Sequence, residues 1–160
     1  ARNAILNGLS PKKNRKIPAL RYSDVTTIKN SFPDLEIYLN GGVDDILEIR
    51  RNIDKFDGLM IGRKIYDNPM FLNEIEGEIF DNKKVLSRKS ILVKYLEYAM
   101  SPQNKGTSNY LLLRHLFSLY YNTGSSKKWK KYLHDIIQAD REIELITNFE
   151  ELTHGEEIKA

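Results

Sequence analysis

Cysteine is absent from the 160 residues. This excludes a disulfide framework, a thiolate metal site and a cysteine nucleophile within the chain. No apolar run approaches the roughly 18 residues a membrane span needs. No sustained apolar core follows the early basic residues, so no secretory leader is expected. Neither a metal nor a membrane is expected among the partners. The first residue is Ala1 rather than methionine, which we read as an expectation of processing or truncation.

Acid is missing from two stretches. Residues 1–21 contain Arg2, Lys12, Lys13, Arg15, Lys16 and Arg21 and no carboxylate. Residues 122–134 contain Lys127, Lys128, Lys130 and Lys131, again with no carboxylate. Residues 139–160 hold seven acids against Arg141 and Lys159, so the modest net charge of +3 hides a basic body and an acidic tail. Two separated basic clusters suit a polyanion. Solvated loops or helix faces are the plain alternative.

What is present fits a soluble globular chain: 41% apolar and 29% charged residues, in a length sufficient to bury a core without cross-links. Gly8, Pro11 and Pro18 punctuate an opening loop. Val25, Ile28 and Phe32 predict a helix over 23–32, capped by Ser23 and ended by Pro33. A short strand over 35–39 runs into Asn40-Gly41-Gly42. Ile46, Ile49 and Ile53 predict a helix over 44–53. A second strand over 56–61 runs into Gly62-Arg63. Helix and strand in alternation predict parallel α/β units. Beyond residue 80 the pattern is helical, with helices expected over 87–99, 109–121 and 125–137 and a weaker one over 140–149. We expect an α/β part over 1–75, a linker over 76–86, a helical domain over 87–150 and a tail over 151–160.

The two glycine endings carry the chemistry. Each closes a predicted strand and leads into a predicted helix. Ligand sites of a (β/α)8 barrel lie at the carboxyl ends of its strands, with phosphate often held after the last two. Glycine lets backbone N–H groups approach a phosphate, a helix start adds donors, and Arg63 adds a charged fork. Two alternatives stand: Asn40-Gly41 as a hairpin turn, and Gly62-Arg63 as a tight turn with a surface arginine. A closed barrel needs eight strands and about 250 residues. Two strands therefore imply that most of such a barrel lies outside this chain.

In the last helical domain, Trp129, Leu133 and Ile136 share one face of the helix from Ser125. Lys127, Lys130, Lys131 and His134 lie on or beside the other. Trp129 reads as core, His115 as a helix-face hydrogen bonder and His134 as surface. His154 lies in the tail.

The order of motifs resembles the tRNA-dihydrouridine synthases, most closely the bacterial A subfamily. Ala1-Arg2 is similar to the end of a His-Ala-Arg motif. Gly8-Leu9-Ser10-Pro11-Lys12-Lys13-Asn14-Arg15-Lys16-Ile17-Pro18 is similar to the subfamily's GLSPKENR stretch, with Lys13 in place of glutamate. Asn40-Gly41-Gly42 matches the NGG after strand seven. Asp57-Gly58-Leu59-Met60-Ile61-Gly62-Arg63, then Tyr66 and Asn68-Pro69, match strand eight and its sequel. Arg114-His115 and Trp129-Lys130-Lys131-Tyr132-Leu133 resemble motifs of the carboxyl-terminal helical domain. The resemblance fades after about Ile137.

The resemblance implies the last two strands of an FMN-binding (β/α)8 barrel followed by a small all-α domain. It implies reduction of a D-loop uridine of tRNA to 5,6-dihydrouridine with NADPH as reductant, in the cytoplasm, with no oligomer required. Carried over by position, Asn40, Gly41, Gly42, Gly62 and Arg63 bind flavin, and Lys12, Arg15, Lys127 and Lys130 touch tRNA. The subfamily usually has arginine at the last two positions, and lysine keeps the charge but loses the planar fork. The family's proton-donating cysteine, flavin-contacting lysine and histidine have no counterpart here, so no catalytic residue is expected in this chain and the chain alone is expected to be inactive. Two other readings compete: a phosphate-binding barrel flavoenzyme acting on a small molecule, and a non-enzymatic RNA-binding remnant built on residues 80–140.

Overall fold

A pair of parallel strands organises the first part of the chain. In the computed structural model, which describes residues 5, 7–14, 18–82, 84–139 and 142–149, β1 (Tyr38–Asn40) pairs with β2 (Gly58–Met60). The register sets Tyr38 against Gly58, Leu39 against Leu59 and Asn40 against Met60. Parallel neighbours need a crossover, and α3 (Ile46–Asn52) lies within it. Asp45 has extended backbone, and its carboxylate accepts from the Glu48 N–H at 2.8 Å. Such a cap stabilises a helix by about 1 kcal/mol. Because Asp45 serves as the cap, the helix begins at Ile46 rather than at Asp44. Leu39, Val43, Ile49 and Phe56 are buried and form the small core of this part.

Both strands are shorter than expected, and the side chains around them say why. Asp57 Oδ2 accepts from the Ile37 N–H at 2.7 Å, in place of a ladder partner. Lys29 Nζ donates to the same oxygen at 2.7 Å and to the Leu35 carbonyl at 3.0 Å. The chain over 33–37 is thus tied largely by side chains, with a backbone bond from the Asp57 N–H to the Ile37 carbonyl at 3.1 Å. The Ile37 N–H first, and Lys29 next, hold the Asp57 carboxyl below the usual carboxylate range.

The flanking helix α2 runs Tyr22–Ser31. Tyr22 is already helical, so Ser23 lies inside the first turn and does not cap it as expected. Arg21 occupies the cap position without a side-chain cap bond and pairs with Asp24 at 2.8 Å. The helix ends before Phe32 because the residue ahead of Pro33 is disfavoured in helical backbone. The short α1 (Pro11–Asn14) precedes it.

The chain divides into two compact units, Ala1–Lys64 and Ile65–Ala160, ahead of the change expected near residue 75. Helix α4 (Arg63–Asp67) runs across that division. Met70 already packs against the core of the second unit, and Phe71 and Ile75 are buried. Helix α5 (Phe71–Glu78) takes up the first residues of the expected linker over 76–86. The Asn73 side chain then clips the rest of that segment, donating to the Leu86 carbonyl at 2.8 Å.

The second unit is helical. Helix α6 (Arg88–Ala99) is capped by Ser87, which accepts from the Ser90 N–H at 3.0 Å. Helix α7 (Asn109–Leu113) tightens into a 3-10 turn over Arg114–Leu116. A regular helix to residue 121 was expected, but three carbonyls along this stretch are taken by distant side chains. Tyr95 Oη donates to Leu112 O, Trp129 Nε1 to Leu116 O at 2.7 Å, and Arg88 Nε to Leu119 O at 3.0 Å. Helix α8 (Ser126–Gln138) follows, then a 3-10 turn over Ile143–Asn148 where a weak helix was expected.

Trp129, Leu133 and Ile136 are buried in one core with Leu92, Leu113, Leu119, Ile146 and Phe149. Tyr120, Trp129 and Phe149 form an aromatic triangle with ring centroids 4.9–5.1 Å apart. Tyr95 is partly buried, and desolvation pushes its hydroxyl pKa up.

Candidate functional site

The parallel pairing decides where the two glycine endings go. Asn40 and Met60 are register partners, so the chain leaves both strands at the same end. A pocket of about 420 Å³ opens there, lined by Asn40, Gly41, Gly42, Val43, Asp44, Met60, Gly62 and Arg63. The five residues singled out from the two motifs therefore share one pocket, within the first unit. The hairpin alternative falls, because Asn40-Gly41 leads away to α3 and the strand it would pair with is parallel.

The glycines differ in what they do. Gly41 has φ +108° and Gly42 has φ +72°, the left-handed region that side chains disfavour. A Cβ on Gly42 would stand 2.4 Å from Leu20 Cδ1 and 2.5 Å from Tyr22 Oη. The Tyr22 hydroxyl donates to the Gly41 carbonyl at 2.9 Å. Gly62 is unlike them: its φ is outside the left-handed region, and a Cβ there would meet only Met60 side-chain atoms at 3.7 Å. Nothing in the fold itself demands glycine at that point. Its missing side chain instead leaves the pocket wall open to the backbone, which is the property a closely approaching anion requires.

The charges in the pocket are of both signs. Arg63 is exposed at the start of α4, and Asp44 is exposed on the opposite motif. The expected contribution of two helix starts is reduced to one. Helix α3 begins only after Val43, Asp44 and Asp45, and in its first turn the Glu48 N–H is taken by the Asp45 carboxylate. Helix α4 begins directly after Gly62.

The basic residues fall in different units. Lys12 is exposed on α1 in the first unit, and Arg15 lies outside the described residues, as does His154. Lys127 and Lys130 are exposed on α8 in the second unit, with Lys128, Lys131 and His134 also exposed. Trp129, between them in sequence, is fully buried. His115 is exposed, accepts from Arg114 Nε at 3.1 Å and meets the Tyr66 ring edge-on at 6.0 Å. Among the described residues no group of histidine and acidic side chains could hold a metal ion, and no helix is long and apolar enough to cross a membrane.

Leu20, Tyr22, Val43 and Asp44 belong to the pocket or brace it, and the motif reading did not single them out. Leu20 and Tyr22 sit about twenty residues ahead of the glycines they touch, so no local spacing announces them.

The sequence is similar to those of known proteins. The family model described as dihydrouridine synthase (Dus) matches residues 1–154. A tRNA-dihydrouridine(20/20a) synthase from Haemophilus ducreyi is 38% identical over 134 residues, covering 83% of this chain and 42% of the relative. One from Pseudomonas putida is 36% identical over 157 residues, covering 97% of this chain and 47% of the relative. One from Synechocystis is 37% identical over 136 residues, covering 84% and 41%. The chain belongs to the dihydrouridine synthase family. It spans less than half the length of these relatives.

Proposed function

We propose that this chain supplies the flavin-phosphate cradle and part of the tRNA grip of a tRNA-dihydrouridine synthase, as the carboxyl-terminal portion of its (β/α)8 barrel followed by a helical tRNA-binding domain. The reaction is reduction of a D-loop uridine to 5,6-dihydrouridine, with FMN as cofactor and NADPH as reductant. The observation that carries this reading is the meeting of Asn40-Gly41-Gly42 and Gly62-Arg63 in one pocket at the ends of two parallel strands.

The residues present suit the cofactor. Gly62 leaves room for a phosphate against the backbone, and Arg63 provides a charge-assisted donor. The Asp44 carboxylate suits the hydroxyl groups of a ribityl chain better than the phosphate. When bound, FMN supplies the hydride chemistry. The chain's own part is to bind and orient it. Lys12, Arg15, Lys127 and Lys130 supply phosphate contacts to tRNA. With no cysteine in the chain, no thiol is present to donate a proton to the reduced base, and the 160 residues alone are inactive.

Two measurements test the reading. FMN affinity, read by flavin fluorescence, is expected to fall about ten- to a hundredfold in Arg63→Ala, the range for losing a charged hydrogen-bond partner. Unmodified tRNA incubated with NADPH, FMN and this chain alone is expected to yield no dihydrouridine. Product formation would overturn the inactivity, and an unchanged FMN affinity in Arg63→Ala would overturn the cradle. The RNA-binding remnant is a second reading with its own support, since the lysine-bearing α8 belongs to a unit with a separate core. It predicts tRNA binding with no flavin binding.

A further inference from the structure

The geometry points to Tyr22 as a positioning residue that sets the phosphate-facing shape of the Asn40-Gly41-Gly42 turn from outside the pocket. The inference rests on the cradle reading above.

Two successive left-handed residues, Gly41 and Gly42, turn the chain at the end of β1. Glycine in that region is permissive rather than fixed, because it populates other backbone conformations about as readily. A turn made of two such residues needs an external constraint to hold one shape. Tyr22 and Leu20 provide it. The Tyr22 hydroxyl donates to the Gly41 carbonyl at 2.9 Å and is part-buried there. That bond pins the peptide plane between Gly41 and Gly42, and hence the direction of the Gly42 N–H. Leu20 Cδ1 and Tyr22 Oη stand 2.4 and 2.5 Å from where a Cβ on Gly42 would be, so the turn is packed on the side that a side chain would take. Both residues act on the wall from behind: Gly41 and Gly42 line the pocket, and neither Leu20 nor Tyr22 does.

Tyr22 is itself anchored. It is the first residue of α2, and its carbonyl accepts from Thr26 Oγ1 at 3.2 Å. The tyrosine therefore links the start of a helix to a turn 19 residues later. A phenylalanine would fill the same space against Leu20 and Gly42 but leave the Gly41 carbonyl without its donor.

The consequence is selective. A preset Gly42 N–H matters for a ligand that accepts hydrogen bonds at that point, as the phosphate of FMN would in the cradle reading and riboflavin, lacking phosphate, would not. Tyr22→Phe should weaken FMN about three- to tenfold, the span for one neutral hydrogen bond, and leave riboflavin unchanged. A merely structural role would weaken both equally or neither.

The test titrates FMN and riboflavin in parallel into the full chain and into Tyr22→Phe, following the glycine amide resonances, which register weak binding. The ratio of the two affinities is taken on one preparation, so any unfolded fraction cancels. A fall in the FMN-to-riboflavin ratio in Tyr22→Phe is the expected result. An unchanged ratio overturns the positioning role. If the unsubstituted chain binds FMN no better than riboflavin, or binds neither, the phosphate cradle itself is overturned and the role of Tyr22 with it.

Discussion

Glycine at 42 and glycine at 62 answer to different demands, and substitution separates them. Gly42→Ala places a methyl group into left-handed backbone and against Leu20 and Tyr22. The backbone cost alone is about 1–2 kcal/mol, so the first unit should lose at least that much stability, read as faster amide exchange at the buried Leu39. Gly62→Ala meets only Met60 at ordinary van der Waals distance. Amide exchange should barely change, while FMN affinity falls because the methyl group occupies the open wall. The reverse pattern would place the structural demand at Gly62 and remove the argument that a ligand requires it.

At the scale of elements, the clamp made by Lys29, Asp57 and the Ile37 N–H ties the end of α2 to both strands. The Asp57 pKa is lowered in the folded state, first by the Ile37 N–H and then by Lys29. Its stabilisation is therefore full above the ordinary aspartate pKa, near 3.8, and is lost as pH falls through the lower folded value. Asp57→Asn should weaken Leu39 exchange protection at neutral pH and flatten its decline on acidification, whereas an unaltered acid limb would show that the clamp contributes nothing. This clamp is also why the strands are shorter than their apolar runs. Apolar runs and their glycine endings were legible, but a lysine on one helix reaching an aspartate 28 residues later leaves no periodic trace. Helix α8 was legible almost to the residue because Trp129, Leu133 and Ile136 repeat at helical spacing. The stretch after Asn109 has the same repeat, yet its helix stops at Leu113 because Tyr95, Arg88 and Trp129 claim its carbonyls from elsewhere. Of the pocket, the two strand-end motifs could be read directly. Leu20 and Tyr22 could not, since neither residue type announces a site and both act across the fold.

At the scale of the whole molecule, charge is distributed over two units that each have their own core. Lys127 and Lys130 are exposed on α8. If they contact phosphates, replacing both with alanine should lower tRNA affinity and reduce the slope of log affinity against log salt by about one per lysine. An unchanged slope would assign the tRNA contacts elsewhere. Helix α8 also carries the sole tryptophan, and Trp129 is fully buried in the second unit. Tryptophan emission, excited apart from the tyrosines, is consequently a gauge of the second unit and not of the unit that holds the glycine pocket. A denaturation curve recorded from the tryptophan alone can describe an intact protein whose ligand site has already melted.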